Sequence, residues 1–185
     1  MRFLSLLIII FISLTVSIKA ETDQKLINKL EKGGKLLFIR HAYAPGSGDP
    51  ENFNLNDCSS QRNLSETGRI QALKIGNFIK KNKIPIHKVL SSEWCRCKET
   101  SLLAFKDYET KDFLNSFYSL KFSNNKDAQI SKLKKYINKW DSDKNLVLVT
   151  HYVMISEVLD YASKSGEIVI SDRDFKKIGS IEIKY

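Results

Sequence analysis

Apolar positions along the chain come in short blocks separated by helical periods. Leu36-Leu37-Phe38-Ile39, Val89-Leu90 and Leu146-Val147-Leu148-Val149 are compact apolar runs. Runs of this length and composition predict strands buried on both faces of a sheet. Between them apolar residues recur at helical spacing: Leu26, Ile27 and Leu30; Ala72, Ile75 and Ile79; Ile130, Leu133 and Ile137; Ile155, Val158, Leu159 and Ala162. The pattern predicts a short helix stopped by Gly33-Gly34, a strand over 35–39, and a helix capped by Asn63 or Ser65. A strand over 89–92, a helix over 93–105, a helix around 130–137 and a strand over 146–149 follow. A helix after His151 and closing strands over 167–170 and 181–185 complete the chain. Strands alternating with helices predict an α/β fold, a single-domain three-layer α/β/α sandwich around a mostly parallel sheet.

Two stretches break the pattern. Residues 42–62 show no period and hold Pro45, Gly46, Gly48 and Pro50. Structureless loops of this length inside a domain are often functional. Residues 105–125 are mixed and aromatic, with Tyr108, Phe113, Phe117, Tyr118 and Phe122. They read equally as an insertion covering something and as a core-packing excursion.

The first twenty residues read as a secretory signal peptide. Arg2 starts it, Leu4 to Val16 is mostly apolar, and Ala20 precedes the polar Glu21-Thr22-Asp23. The apolar part is short for a membrane span of about 20 residues; a retained N-terminal anchor is the alternative. Residues 21–185 then form the domain, and the location is secreted or periplasmic, with no stable membrane span after cleavage. The remaining chain has 28 basic and 21 acidic residues, a formal charge of +7. That excess suits an anionic substrate. The lysines are scattered and not interleaved with aromatics, which argues against nucleic acid as a partner.

Arginine is scarce, with 6 against 24 lysines. A rare residue in a lysine-rich chain points to use of its planar fork. Arg40 and Arg96 follow strand-like segments, and Arg62 lies in the long loop. The three cysteines, Cys58, Cys95 and Cys97, allow one disulfide in an oxidising compartment. Cys58 with Cys95 or Cys97 is the reasonable pairing, because a Cys-x-Cys bridge is strained. A zinc site lacks a fourth ligand at metal spacing.

Arg40-His41 and Thr150-His151 each end an apolar run, which brings two imidazoles and a guanidinium to one rim of the sheet. Phosphoryl transfer needs such a set: a neutral imidazole as nucleophile, and cationic donors around the non-bridging oxygens. His41 fits the nucleophile; Arg40, Arg96 and His151 fit the clamp, with His151 expected to act protonated. Ser91 and Ser92 lack the Gly-x-Ser-x-Gly elbow of a serine hydrolase. His87 has no motif around it.

The run Phe38-Ile39-Arg40-His41-Ala42 resembles the signature of the histidine phosphatase superfamily, the phosphoglycerate-mutase-like fold, with Ala42 in place of the usual glycine. Asn63-Leu64-Ser65-Glu66-Thr67-Gly68-Arg69-Ile70-Gln71-Ala72 resembles its Leu-Ser-x-x-Gly-x-x-Gln-Ala helix start. Ser92 to Thr100 resembles its Ser-x-x-x-Arg-x-x-x-Thr segment, and Val149-Thr150-His151 its late Thr-His. The resemblance covers residues 35–165 in the family's order, and is nearest the small exported bacterial members. It implies a phosphohistidine at His41, a pocket of Arg40, Arg96 and His151, and no metal or other cofactor. It also implies a metal-independent, acid-type hydrolase of phosphoric monoesters.

Arg62 and Ser92 are the candidate substrate contacts. Arg62 reads equally as a surface ion pair, and Ser92 as a helix cap. The family's proton donor is a carboxylate with no fixed place here, since Tyr152 stands where one branch has aspartate. Glu93, Asp107 and Glu109 are the candidates, with Asp112 beside them; some small members acting on phosphoproteins lack this acid. The expected partner is a phosphorylated small molecule or envelope sugar phosphate, such as a lipopolysaccharide core heptose phosphate. A phosphoprotein and a non-catalytic phosphate-binding role are the alternatives.

Overall fold

A computed structural model describes residues 23–185, so the signal segment expected over 1–20 lies outside the described residues. Residues 23–31 are helical (α1) and end before Gly33, whose φ of 69° lets the chain turn where an added Cβ would meet the Asp143 carbonyl. The elements that follow are β1 (Leu36–Arg40), α2 (Glu66–Lys81), β2 (Ile86–Ser91), α3 (Cys95–Phe105) and β3 (Glu109–Thr110). After them come α4 (Leu120–Ser123), α5 (Lys126–Lys139), β4 (Asn145–Thr150), α6 (Tyr152–Leu159), β5 (Ile168–Ser171) and β6 (Lys177–Ile181).

The six strands form one sheet in the order β3-β2-β4-β1-β5-β6. The β3, β2, β4 and β1 strands run parallel, and β5 and β6 close the other edge antiparallel. Alternate residues of the central strands feed two separate cores. Leu37, Ile39, Val147 and Val149 pack with Leu26 and Leu30 of α1 and Ile75 and Ile79 of α2. Leu36, Phe38, Leu146 and Leu148 pack with Leu133 and Ile137 of α5 and Met154 and Ile155 of α6. This is the three-layer sandwich that near-continuous apolar strands imply.

Several motif residues turn out to join these layers. Ser65, not Asn63, caps α2 by accepting from the Gly68 N–H at 3.1 Å, while the Asn63 amide donates to the Cys58 carbonyl. Gly68 lets the first turn of α2 sit on the Tyr43 carbonyl, which an added Cβ would approach to 2.0 Å. The buried Gln71 accepts from the Tyr43 N–H and donates to the Ser165 and Ile183 carbonyls. Thr100 accepts from the Ala42 N–H and donates to the Arg96 carbonyl, tying α3 to the start of the long loop.

Two expectations need correction. The last strand is Lys177–Ile181, not 181–185. The alternating Ile181, Ile183 and Tyr185 mimic a strand, but the segment leaves the sheet beside α2, and Tyr185 stacks on Tyr43 with centroids 4.8 Å apart. The helix after His151 stops at Leu159, where Asp160 turns left-handed, so Ala162 lies beyond it. The aromatic stretch does both things expected of it: Phe113, Leu114 and Phe117 enter the core, and Ser116 to Phe122 border a cavity.

A disulfide joins Cys58 to Cys95 across 37 residues, and Cys97 is a buried free thiol. The bond pins the long loop to the first turn of α3. Closing a loop of that length is worth about 3–4 kcal/mol of chain entropy. The C58A/C95A double variant is therefore expected to unfold at lower urea with a stability loss approaching that amount; an unchanged midpoint refutes this.

Candidate active site

The parallel strands deliver their carboxyl ends to one rim. β1 and β4 pair with Arg40 opposite Thr150, and the next N–H, from His41, donates to the Thr150 carbonyl at 3.0 Å. His41 and His151 thus emerge side by side, with ring centroids 5.5 Å apart. From β2 the chain continues to Ser92, whose N–H donates to the Val149 carbonyl at 2.9 Å, and then into α3 with Arg96 in its first turn. The first N–H of α3, from Cys95, donates to the Gln61 side-chain oxygen at 2.9 Å, while α6 has no side-chain cap among the described residues and its first residues, Tyr152 and Val153, line the cavity.

The two histidines are held differently. His41 Nδ1 lies 2.8 Å from the Ala42 carbonyl, which only accepts, so Nδ1 carries the proton and Nε2 a lone pair. Arg96 Nε donates to that Nε2 at 3.2 Å. Burial, and then the Arg96 charge, hold the His41 pKa well below the usual imidazole value, so the ring is neutral.

His151 Nε2 lies 2.9 Å from Ser92 Oγ. That hydroxyl donates to Asn115 Oδ1 at 3.0 Å, so it accepts from the ring, and the Nε2 of His151 carries the proton. Burial and Arg96 lower the His151 pKa as well. The free site therefore holds a neutral His151. A bound phosphate dianion favours the protonated form. The Cys97 thiol, 3.5 Å from His151 Nε2, is pushed up to about 12 by burial and stays protonated.

Arg96 is 3% exposed. Asp49 takes one edge of its fork, with Nη1–Oδ1 at 2.7 Å and Nη2–Oδ2 at 3.1 Å. The Trp94 indole and the Arg62 N–H also donate to Asp49. Arg96 then offers its Nε edge to His41. Although burial opposes it, Arg96 and these donors hold the Asp49 carboxyl below the usual range, so it is ionised. Arg40 donates to the Ser163 carbonyl at 2.8 Å, lies over the Tyr152 ring, and keeps a buried Nε with no partner among the described residues. Arg62 donates to the Gly48 and Ala44 carbonyls, which makes it the internal brace of the long loop.

These groups open onto a cavity of about 560 Å³. Phe53 stacks on Trp94, and Phe122 sits edge-on to both, forming an aromatic wall. The cavity holds Arg40, His41, Arg62, Arg96 and His151 together. Ser92 is fully buried and not part of the wall; it orients His151 from beneath. Glu93 accepts from the Asn115 amide and is also off the wall. Asp107 is exposed beyond α3, and Glu109 is ion-paired to Lys88 and Lys111 on the edge strand. Asp112 pairs with Lys132 on α5. The wall instead carries two carboxylates from the long loop, Asp49 and Glu51. The loop's length and its place directly after His41 were their only sequence signal. Among the described residues, no group of three or more His, Cys, Asp or Glu is arranged to hold a metal ion.

No family model matches the chain, and no curated protein matches it by sequence. Solved structures do match. One is the protein histidine phosphatase SixA complexed with tungstate, at 14% identity and a TM-score of 0.53, covering 81% of this chain and 96% of that one. A second is a SixA of Agrobacterium tumefaciens described as a phosphohistidine phosphatase, at 18% identity and a TM-score of 0.56, covering 80% and 98%. A third is a phosphoserine phosphatase mutant from Entamoeba histolytica in complex with phosphoserine, at 16% identity and a TM-score of 0.51, covering 74% and 89%. The chain therefore shares the fold of these histidine phosphatase structures.

Two buried neutral histidines make stability depend on pH. Their folded pKa values lie below the unfolded value of 6.5. The unfolded chain therefore binds more protons in that interval, and stability rises with pH there. Tm is expected to be level above about pH 6.5 and to fall as pH drops below it. The H151Q variant should show a shallower fall between pH 7 and 5, measured by thermal melting in a matched buffer series; an identical slope refutes the assignment.

Proposed function

We propose that this chain is a phosphomonoesterase of the histidine phosphatase superfamily, working through a phosphohistidine on His41. The observation that carries the reading is the tautomer of His41. Its proton is fixed on Nδ1 by the Ala42 carbonyl, which leaves a lone pair on Nε2 beside a guanidinium. A buried neutral imidazole is a ready nucleophile, and no base is required to prepare it.

The chemistry follows from these positions. The Nε2 lone pair bonds to phosphorus as the ester P–O bond breaks, and the leaving oxygen takes up a proton. As phosphate binds, the Arg96 Nε–H turns from the His41 Nε2 lone pair to a non-bridging oxygen and frees that lone pair; Arg40, whose Nε has no partner among the described residues, and the uncapped start of α6 meet the others. Hydrogen bonding of Nδ1–H to Ala42 stabilises the charge that the ring acquires. Water then attacks phosphorus, the P–N bond breaks, and phosphate and neutral His41 are restored. Arg40, Arg96 and a His151 protonated on phosphate binding supply the positive charge, so the reaction is expected to need no metal.

The signal-like segment 1–20 supports export, secreted or periplasmic. The cavity, much larger than one phosphate group, supports a phosphorylated small molecule such as an envelope sugar phosphate. The likeness to SixA and to a phosphoserine phosphatase keeps phosphorylated protein side chains as the competing substrate.

The test is hydrolysis of p-nitrophenyl phosphate by the chain lacking residues 1–20. Wild type should turn over in the presence of EDTA and form an acid-labile phosphoenzyme. H41A should lose both, with turnover down at least about a thousandfold. Wild type that binds phosphate without turnover would instead identify a phosphate-binding module.

A further inference from the structure

We infer that Glu51 protonates the leaving oxygen, while Asp49, two residues before it, positions Arg96; this rests on the phosphatase reading above. His41 is 2% exposed and forms the floor of the cavity. In-line displacement puts the leaving oxygen on the side of phosphorus opposite the attacking nitrogen. From a floor nucleophile, that side is the mouth. The proton must therefore come from the mouth, and from a group not already committed to the floor.

Glu93, Asp107 and Glu109 do not line the cavity, and of the described carboxylates only Asp49 and Glu51 do. They stand in opposite circumstances. Both oxygens of Asp49 are occupied, by the Arg96 fork, the Trp94 indole and the Arg62 N–H. Such a carboxylate has no proton to give. Glu51 is exposed at the mouth, on the turn after Pro50, and makes no hydrogen bond or ion pair with the described residues. His151 is also unsuited, since its Nε2 proton is held by Ser92 at the floor. Asp49 is thus committed to Arg96, and Glu51 is the cavity carboxylate left to meet the leaving oxygen.

The loop is built to hold the pair in place. Arg62 binds the Gly48 and Ala44 carbonyls across its base, and the Cys58–Cys95 disulfide anchors its far end beside Arg96. In the first step the Nε2–P bond forms, the P–O bond breaks with its electron pair on oxygen, and the Glu51 proton moves to that oxygen. In the second, water gives a proton back to the Glu51 carboxylate as its oxygen bonds to phosphorus and the P–N bond breaks.

The test is leaving-group dependence, measured on a series from p-nitrophenyl phosphate to alkyl phosphates such as glycerol phosphate. With an acid in place, kcat depends weakly on the leaving group. E51Q should lower kcat by about a hundredfold or more on alkyl esters, and by about tenfold or less on the nitrophenyl ester, whose anion leaves with less help. D49N should lower both by a similar factor, because a misaligned Arg96 affects every phosphate alike. Equal effects of E51Q on both ester types, or the steep dependence appearing in D49N instead, would overturn the assignment. Wild type that turns over no ester at all would overturn the phosphatase reading, and this assignment with it.

Discussion

The pairing of β1 with β4 is the constraint on which everything else rests. Opposing Arg40 to Thr150 puts the next residue of each strand, both histidines, on the same rim. In a sheet with one wet face, register is set by the alternation of apolar and polar residues. That device is absent here, because both strands are apolar on both faces. The register is pinned at the strand ends instead. The Asn145 side chain accepts from the Lys35 N–H and donates to the Leu30 and Pro85 carbonyls. At the other end, Thr150 bonds to the Leu114 carbonyl through its hydroxyl and receives the His41 N–H on its own carbonyl. Polar clips outside the apolar runs thus align the rim that carries both histidines.

The rim concentrates positive charge where water is scarce. Arg40, Arg62 and Arg96 each depress the pKa of both histidines. Asp49 is the internal counter-charge, and it lies on the edge of Arg96 that does not face His41. Neutralising a guanidinium from behind holds its geometry while leaving its other edge for an anion. Arg62 spends its donors on loop carbonyls, so it strengthens the field without closing the cavity.

Residues whose identity serves backbone geometry were legible in the sequence. The strands, the helical faces, and the glycine, glutamine and threonine of the motif blocks each have a local reason. Gly68 admits a carbonyl, Gln71 ties three backbone groups, and Thr100 joins α3 to the residue after His41. Segments whose role depends on distant partners were not. Residues 181–185 alternate like a strand, but the groove beside α2 takes them. The loop 42–62 has no period to read, and the Asp49–Arg96 pair spans 47 residues. Ser92 reads from the sequence as a substrate contact or a helix cap; only the Asn115 side-chain oxygen, 23 residues on, takes its O–H and leaves the Ser92 oxygen to accept from His151.

The two histidines show how equivalent backbone positions acquire unequal chemistry. Both follow buried parallel strands, both are nearly inaccessible, and both are neutral in the free site. Burial therefore does not distinguish them. The second nitrogen does. In His41 a carbonyl takes the Nδ1 proton and leaves a lone pair on Nε2 toward Arg96. In His151 a serine oxygen accepts from the Nε2 proton, so that nitrogen has no lone pair to offer. The nature of one hydrogen-bond partner, rather than burial or charge, decides which imidazole keeps a lone pair on Nε2. That partner in turn depends on the chain that follows each strand: a loop whose first carbonyl folds back on the ring after β1, and a helix start placed over Ser92 after β4.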